Sequence, residues 1–329
     1  MIKDIQILEY KGFKNLKLDN LSQINLISGK NNVGKTALLE ALFIYDDIAY
    51  SFENVHTFSN IDTFLSIANT RNISEKRLKN YLQDLHYKVE DLDIQYKSKY
   101  QLNELEEVEI KQLNQDYRGF IVGYKNDKMG IIPTSKTIEY EEGFFTKYID
   151  SSKPNNERLV ELYSTIQSKG IQHKFLNYLQ LLDEDIVWLE PQLLEDEMLL
   201  RINLKNPERS LVSSELGEGT NRYIEILCSL LSNSQGRVFI DEIENGIHYS
   251  KLYDIWKAII EVVKEEEIQL FVTTHDLESI EALGRASEDM NFKEISSIKL
   301  AKDTENKIYP IIRNYNSFSA TVNSGMDIR

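Results

Sequence analysis

Only one cysteine, Cys228, occurs in 329 residues, so no disulfide can form within the chain and a covalently stapled fold is excluded. Its apolar, helix-like neighbourhood reads as core, and a reducing cytoplasm is the expected compartment. No apolar run approaches the roughly 20 residues needed to cross a bilayer, so no membrane partner is expected. The opening residues, Met1-Ile2-Lys3-Asp4-Ile5-Gln6, lack the apolar centre of a signal peptide. Positive charge is scarce: 38 Lys and Arg stand against 53 Asp and Glu, a formal net charge of −15. That balance opposes loose attachment to nucleic acid over the whole surface, while a local DNA groove stays open. The densest basic cluster, Arg71, Lys76, Arg77 and Lys79, reads as a solvated helix face. No sustained heptads are present, which excludes long coiled-coil arms. Hydrophobic content of 41% and charged content of 28% are ordinary for a globular protein and can supply one large domain or two lobes.

Against this plain background, Gly29-Lys30-Asn31-Asn32-Val33-Gly34-Lys35-Thr36 fits the phosphate-loop pattern G-x-x-x-x-G-K-[ST] at every fixed position. It follows the apolar run 24–28 and precedes Ala37, Leu38, Leu39, Leu42 and Phe43 at helical spacing, the strand-then-helix setting the pattern requires. Glycines 29 and 34 let the backbone approach a phosphate chain and aim N–H groups at it. The positive end of the following helix adds to the same spot. Lys35, expected on a solvent-accessible loop, would reach the β- and γ-phosphates, and the Thr36 hydroxyl would hold Mg²⁺. The spacing therefore predicts binding of a nucleoside triphosphate, ATP, by residues 29–37.

A second apolar run, 237–240, ends in the adjacent acids Asp241 and Glu242. In an open α/β sheet, the carboxyl end of a buried parallel strand is where ligands bind. Asp241 is placed to bind Mg²⁺ and Glu242 to act as general base toward the attacking water. A third run, 268–272, ends in Thr273-Thr274-His275, where a histidine can contact the γ-phosphate.

These landmarks, in this order, resemble the ATP-binding-cassette class of ATPases. Ser213-Ser214-Glu215-Leu216-Gly217-Glu218-Gly219-Thr220-Asn221-Arg222 is similar to the signature that opens a helix in that class. The resemblance implies that Gly217, Glu218, Gly219 and Thr220 contact nucleotide bound by a second subunit. The usual signature serine would fall at Gly217 or Leu216, and neither has a hydroxyl; Ser213 and Ser214 are the candidate substitutes. The spellings Gly-Lys-Asn-Asn-Val-Gly-Lys-Thr, Asp-Glu-Ile-Glu-Asn-Gly-Ile-His and Leu-Gly-Glu-Gly-Thr-Asn-Arg resemble soluble AAA-family cassette ATPases. These are the relatives of recombination protein F and of the ATPase half of overcoming-lysogenization-defect (OLD) nucleases. The opening segment 5–15 is similar to their first strand and turn. The likeness covers roughly residues 1–48 and 185–285.

The expected fold is thus α/β: an ABC-type P-loop ATPase with a mixed β-sheet core, an antiparallel β-subdomain and an inserted helical lobe. It is read as one domain, with 1–48 and 185–313 as nucleotide-binding core and about 49–184 as insertion. Residues 35–48 are expected helical and 49–118 mostly helical, with Leu78, Leu82 and Leu85 on one face. A hairpin is expected at 119–133, a further strand at 137–140 and two short helices in 156–183. Strands are expected at 186–190, 198–204, 295–301 and 307–313, and a helix at 277–283. Only 54 residues follow His275, too few for a Toprim nuclease domain of roughly 100 residues. Asp183 and Asp185 have a D-x-D spacing, but they sit between a helix and a strand of the ATPase. The resemblance implies a homodimer or higher homo-oligomer closing around ATP-Mg²⁺ and a separate effector, a Toprim-type nuclease, in antiviral defence. DNA repair without a nuclease partner is the alternative.

Overall fold

The computed structural model describes residues 1–43 and 146–325, with five strand segments between them. Contacts divide the chain into two compact units, one of residues 1–21, 30–143 and 298–312 and one of 22–29, 144–297 and 313–329.

In the first unit, β1 (Ile5–Tyr10) and β2 (Phe13–Leu18) form an antiparallel hairpin, Ile5 opposite Leu18. Burial along β2 alternates, with Phe13, Leu16 and Leu18 inside and lysines outside, the pattern of a sheet with one wet face. After β3, described below, come β4 (Tyr87–Val89), β5 (Leu92–Leu102), β6 (Glu106–Leu113), β7 (Gly119–Tyr124) and β8 (Met129–Pro133). The sheet order is β2-β1-β5-β6-β7-β8, with β4 also on β5. The β7–β8 pair is the expected hairpin, Gly119 opposite Pro133. The expectation of a mostly helical stretch over 49–118 is wrong for 87–113. There Leu92, Ile94, Tyr96, Tyr100 and Leu102 recur at even positions, a period of two that belongs to a strand. The Leu78 face, the Arg71–Lys79 basic cluster, the 137–140 strand and the helix beyond residue 43 lie outside the described residues.

The second unit is built on four parallel strands. β3 (Ile24–Ser28) pairs with β14 (Gln269–Thr273), β14 with β13 (Arg237–Ile240), and β13 with β9 (Thr146–Ile149). The full sheet order is β16-β15-β3-β14-β13-β9, with β15 (Ile295–Lys302) and β16 (Ile308–Asn314) near the expected late strands. All five residues of β3 and of β14 are buried, as expected of parallel strands covered on both faces. The buried Asn25 side chain inside β3 is satisfied: it donates to the Ser22 and Leu270 carbonyls and accepts from Ser22 N. A three-stranded antiparallel sheet, β10 (Ile186–Leu194), β11 (Glu197–Leu204) and β12 (Leu211–Val212), completes the strands.

A first helix, α1, begins at residue 35 and continues through 43. The lobe expected at 156–183 is α2 (Asn156–Ser168) and α3 (Gln172–Leu179), with Asn155 capping α2 through Arg158 N at 2.8 Å. Four more helices follow: α4 (Glu218–Leu231), α5 (Leu252–Glu265), α6 (Leu277–Asp289) and α7 (Tyr315–Asn323). Neither α5 nor α7 was expected, although Leu252, Ile255, Trp256, Ile259, Ile260 and Val263 recur at helical spacing and are buried. Cys228 lies wholly buried in α4, and burial pushes its thiol up from the ordinary range. Among the described residues no helix is long and apolar enough to cross a membrane.

Trp256 is fully buried and donates its indole N–H to Ser279 Oγ at 3.3 Å, joining α5 to α6. Trp256→Ala should cost about 3–5 kcal/mol, because the neighbours cannot close a void of that size. Urea unfolding checks it, with a midpoint unchanged from wild type as the contrary result.

Candidate functional site

The phosphate-loop residues combine backbone freedom with self-contacts. Gly29 has φ of 145°, Asn32 61° and Gly34 105°, so the chain turns where only glycine or asparagine is comfortable. Gly34 is held twice over, since a Cβ there would lie 3.1 Å from Phe13 Cζ. Leu38 N donates to Gly34 O at 2.9 Å, the first hydrogen bond of α1. Lys35 departs from expectation: it is only 8% exposed, because its ammonium folds back to donate to Lys30 O at 3.2 Å. Lys302 donates to Asn32 O at 3.3 Å, a second cation on this loop. One turn into α1, the buried Glu40 carboxylate accepts from Lys11 and from Tyr10 Oη.

Parallel pairing of β3, β14 and β13 brings their carboxyl ends to one edge of the second unit. Gly29 follows β3, Asp241 and Glu242 follow β13, and Thr274 and His275 follow β14. Asp241 is 4% exposed. Its N–H donates to Ile149 O at 2.8 Å, and its Oδ1 accepts from Thr273 Oγ1 at 2.5 Å. The same hydroxyl accepts from Glu242 N at 2.8 Å. Glu242 adopts φ of 50°, a left-handed conformation that a non-glycine residue takes only when its surroundings impose it. Its carboxylate is 37% exposed. His275, 46% exposed, places Nδ1 3.8 Å from Glu242 Oε1 and 3.0 Å from Glu244 Oε1.

The signature residues open α4. Gly217 is the N-cap residue without a side-chain cap bond, and Glu218, Gly219 and Thr220 form the first turn. Gly219 lies against the turn after the acidic strand: a Cβ there would fall 2.2 Å from Gly246 O. Gly246, at φ of 72°, is less crowded but still close, with Glu218 Cγ 2.9 Å and Gly219 N 3.0 Å from its own notional Cβ. Ser213 cannot stand in for the missing signature serine. It is fully buried, donating to Asn156 Oδ1 at 2.8 Å and accepting from Leu200 N at 3.2 Å. Ser214 is exposed. Asp183 and Asp185 serve a turn: Asp183 Oδ1 accepts from Asp185 N at 3.0 Å, and Asp185 pairs with Lys205 at 3.5 Å. Among the described residues no three His, Cys, Asp or Glu side chains are grouped to hold a metal.

Three residues with no role assigned from sequence prove central to this edge. Thr273 bridges two neighbouring acids, Glu244 grips His275, and Arg222, from the signature helix, donates to Asp241 O at 2.6 Å and to Asp150 O. Arg222 also meets Glu225 Oε2 at 3.2 Å, and Arg158 meets Glu225 Oε1 at 2.8 Å. Burial pushes the Glu225 carboxyl up, and the two guanidiniums oppose that rise. The available signals were the Glu-x-Glu spacing at 242 and 244 and an arginine inside an otherwise apolar helix face.

Residues 24–281 match the family described as "AAA domain, putative AbiEii toxin, Type IV TA system", and the chain belongs to that family. It is an ATPase of the ABC type. Among curated relatives, an "ATP/GTP phosphatase" of Helicobacter pylori is 21% identical, over 94% of this chain and 95% of that protein. A Methanocaldococcus jannaschii protein, MJECL10, is 25% identical over 55% of this chain and 74% of its own length. Among solved structures, an Smc head bound to the C-winged helix domain of ScpA superposes with a TM-score of 0.51 and 11% identity. It covers 95% of this chain and 98% of that one. The SMC head domain of Thermotoga maritima gives 0.46 at 14% identity, over 95% and 98%. The fold is therefore the mixed-sheet ABC-type P-loop fold expected from the motifs.

Asp276 caps α6, its side chain accepting from Glu278 N at 3.3 Å. Burial, with the Glu278 hydrogen bond and charge, pushes its carboxyl up to about 6. A raised carboxyl means that the folded state holds the proton more tightly than the unfolded one. This group's contribution to stability is therefore full below the unfolded value and lost as pH rises through about 6. Asp276→Asn keeps the cap acceptor and removes the titration. The variant should melt higher than wild type at pH 8, by less than about 3 °C given its exposure, with the gap closing by about pH 4. Parallel melting curves that keep a constant offset across this range would contradict it.

Proposed function

We propose that the chain is a nucleotide-timed switch that binds ATP, associates with a second copy around it and separates on hydrolysis. The observation carrying this reading is the common edge of β3, β13 and β14, at which Gly29, the Asp241–Glu242 pair and His275 all emerge. Residues 29–37 cradle the phosphates, with Lys35 swinging from Lys30 O to the β- and γ-phosphates. Asp241 and Thr36 offer hard oxygen ligands of the kind Mg²⁺ takes alongside phosphates, so one carboxylate without a cluster suffices. Magnesium, when bound, neutralises charge on the transferring phosphoryl group. Glu242, the most exposed acid of the three at this strand end, takes the proton of the attacking water, and His275 contacts the γ-phosphate. Gly217, Glu218, Gly219 and Thr220 supply the signature contact in trans, with Ser214 the available hydroxyl.

The organisation proposed with this mechanism is a single ATPase domain, 1–48 and 185–313 forming the core and about 49–184 the insertion. The name of the Helicobacter pylori relative, a phosphatase of ATP and GTP, supports nucleotide hydrolysis as the activity. The family description, which names a toxin of a type IV toxin–antitoxin system, favours antiviral defence over repair. A cytoplasmic switch of this kind acts through another protein, for which a Toprim-type nuclease acting on DNA is the proposed partner.

Two variants test the reading. Lys35→Ala should abolish ATP binding or turnover while leaving the protein folded, since it removes an ammonium at the phosphate loop and opens no large void in the apolar core. Unchanged ATPase activity would remove the basis of the proposal. Glu242→Gln keeps size and polarity but cannot accept the proton, so kcat should fall at least about 100-fold while ATP stays bound. Light scattering after size exclusion should then show ATP-Mg²⁺ raising the mass of this variant to that of a dimer or more. The same mass with and without nucleotide counts against association around ATP.

A further inference from the structure

Glu244 lies inside the Asp-Glu-Ile-Glu-Asn-Gly-Ile-His segment but has been given no role of its own, and its side chain is held closely at the strand edge. It is only 9% exposed. One of its oxygens, Oε1, accepts from the main-chain N–H of His275 at 2.9 Å and lies 3.0 Å from Nδ1 of the same ring. A carboxylate oxygen only accepts, so the main-chain hydrogen comes from His275; a bare Nδ1 lone pair 3.0 Å from the same oxygen would be repelled, which favours the ring proton on Nδ1. Glu242 Oε1, 3.8 Å from that nitrogen, is beyond hydrogen-bond reach. The other Glu244 oxygen, Oε2, is buried and makes no hydrogen bond among the described residues. Leaving a buried carboxylate oxygen unpartnered is costly, and the exposed main chain at His275 could have been satisfied by water instead. Holding the His275 main chain alone leaves the 3.0 Å approach of the same oxygen to the ring nitrogen unexplained; orienting the imidazole accounts for both contacts.

We propose that Glu244 is a positioning residue for His275, fixing its Nδ1–H form and ring plane so that Nε2 is the nitrogen presented to the nucleotide. This rests on the reading of His275 as the γ-phosphate contact and adds how that contact is aimed. The chemistry is that of any base whose far nitrogen is set by the bond at its near one: the partner selects the tautomer and removes the ring's rotation. The element that makes it possible is the parallel pairing of β13 and β14, which sets Glu244 and His275, 31 residues apart, beside each other.

Two-bond ¹H–¹⁵N spectra of the nucleotide-free, ¹⁵N-labelled full chain at pH 8 test it, with His275 assigned as the signal absent from His275→Gln. The expected pattern is a protonated Nδ1 and a bare Nε2. In Glu244→Ala the pattern should average, and kcat should fall about 10- to 100-fold, the usual effect of losing an orienting partner. The KM for ATP should move by less than about 3-fold, because the loss falls on the chemical step rather than on ground-state binding. Glu244→Gln, whose amide oxygen still accepts, should restore the Nδ1–H pattern and most of kcat. A wild-type ring carrying its proton on Nε2, or a Glu244→Ala ring that keeps the wild-type pattern, overturns the proposal; the wild-type spectrum decides even if the alanine variant fails to fold. Undiminished turnover in His275→Gln, beside an intact Nδ1–H signal, overturns instead the nucleotide role of His275.

Discussion

The hydroxyl of Thr273 is the joint on which the acidic strand edge depends. It donates to Asp241 at 2.5 Å and accepts from the N–H of Glu242 at 2.8 Å, so one side chain fixes both acids. Glu242 sits at φ of 50°, a conformation of low intrinsic population, and a bond to its own N–H is one of the forces that hold it there. A hydroxyl can serve this double purpose because it has one hydrogen to give and lone pairs to receive. That geometry follows from the register of β14 beside β13, Val272 opposite Ile240, which puts Thr273 one step beyond the last paired residues. A valine in its place would keep the shape but leave the buried Asp241 carboxylate and the Glu242 N–H without this partner.

From the same register comes the reach of the second acid. Ile243 N donates to Thr273 O at 3.2 Å, which keeps the chain against β14 for one residue beyond the acidic pair. The Glu244 side chain thereby arrives at the His275 main chain and ring, while Asn245 turns away to the Ser151 carbonyl. Five successive residues after β13 thus have fixed partners, three of them on Thr273, which is why this turn is a defined piece of structure rather than a loop. A turn so tied down needs no reorganisation when charge develops at the phosphate, the condition under which fixed groups lower a barrier most.

How much of this could be read from the chain divides along a physical line. The placement of Gly29, Asp241, Glu242 and His275 directly after strands was readable because the pattern is local: glycines where the backbone must bend and acids or a histidine directly after an apolar run. Two of the missed roles, at Glu244 and Thr273, arise from pairing between strands about 30 residues apart, which no local spacing encodes. Arg222 was hidden for a related reason. An arginine in an apolar helix face signals a buried charge, but its partners, the Asp150 and Asp241 carbonyls, become evident only once β9 is seen beside β13. The strands at 87–113 were lost to composition: their many charged residues suggested a polar helix, although the alternation of Leu92, Ile94 and Tyr96 was visible. Lys35 was misjudged because a lysine in a loop is ordinarily solvated, and here a carbonyl five residues back in its own loop takes the charge.

The glycine pair gives the signature its mechanical meaning. Gly219 and Gly246 meet backbone to backbone, so closely that neither position has room for a methyl group. Arg222, one turn further along α4, grips the carbonyl of Asp241. The start of α4 is therefore fastened to the acidic strand end at two points, one a steric contact and one a charge-assisted hydrogen bond. Packed interfaces of this kind shift as units rather than deform continuously. Within one copy of the chain, the first turn of α4 and the acidic turn are thus packed directly against each other, backbone on backbone, with the Arg222 guanidinium across the seam.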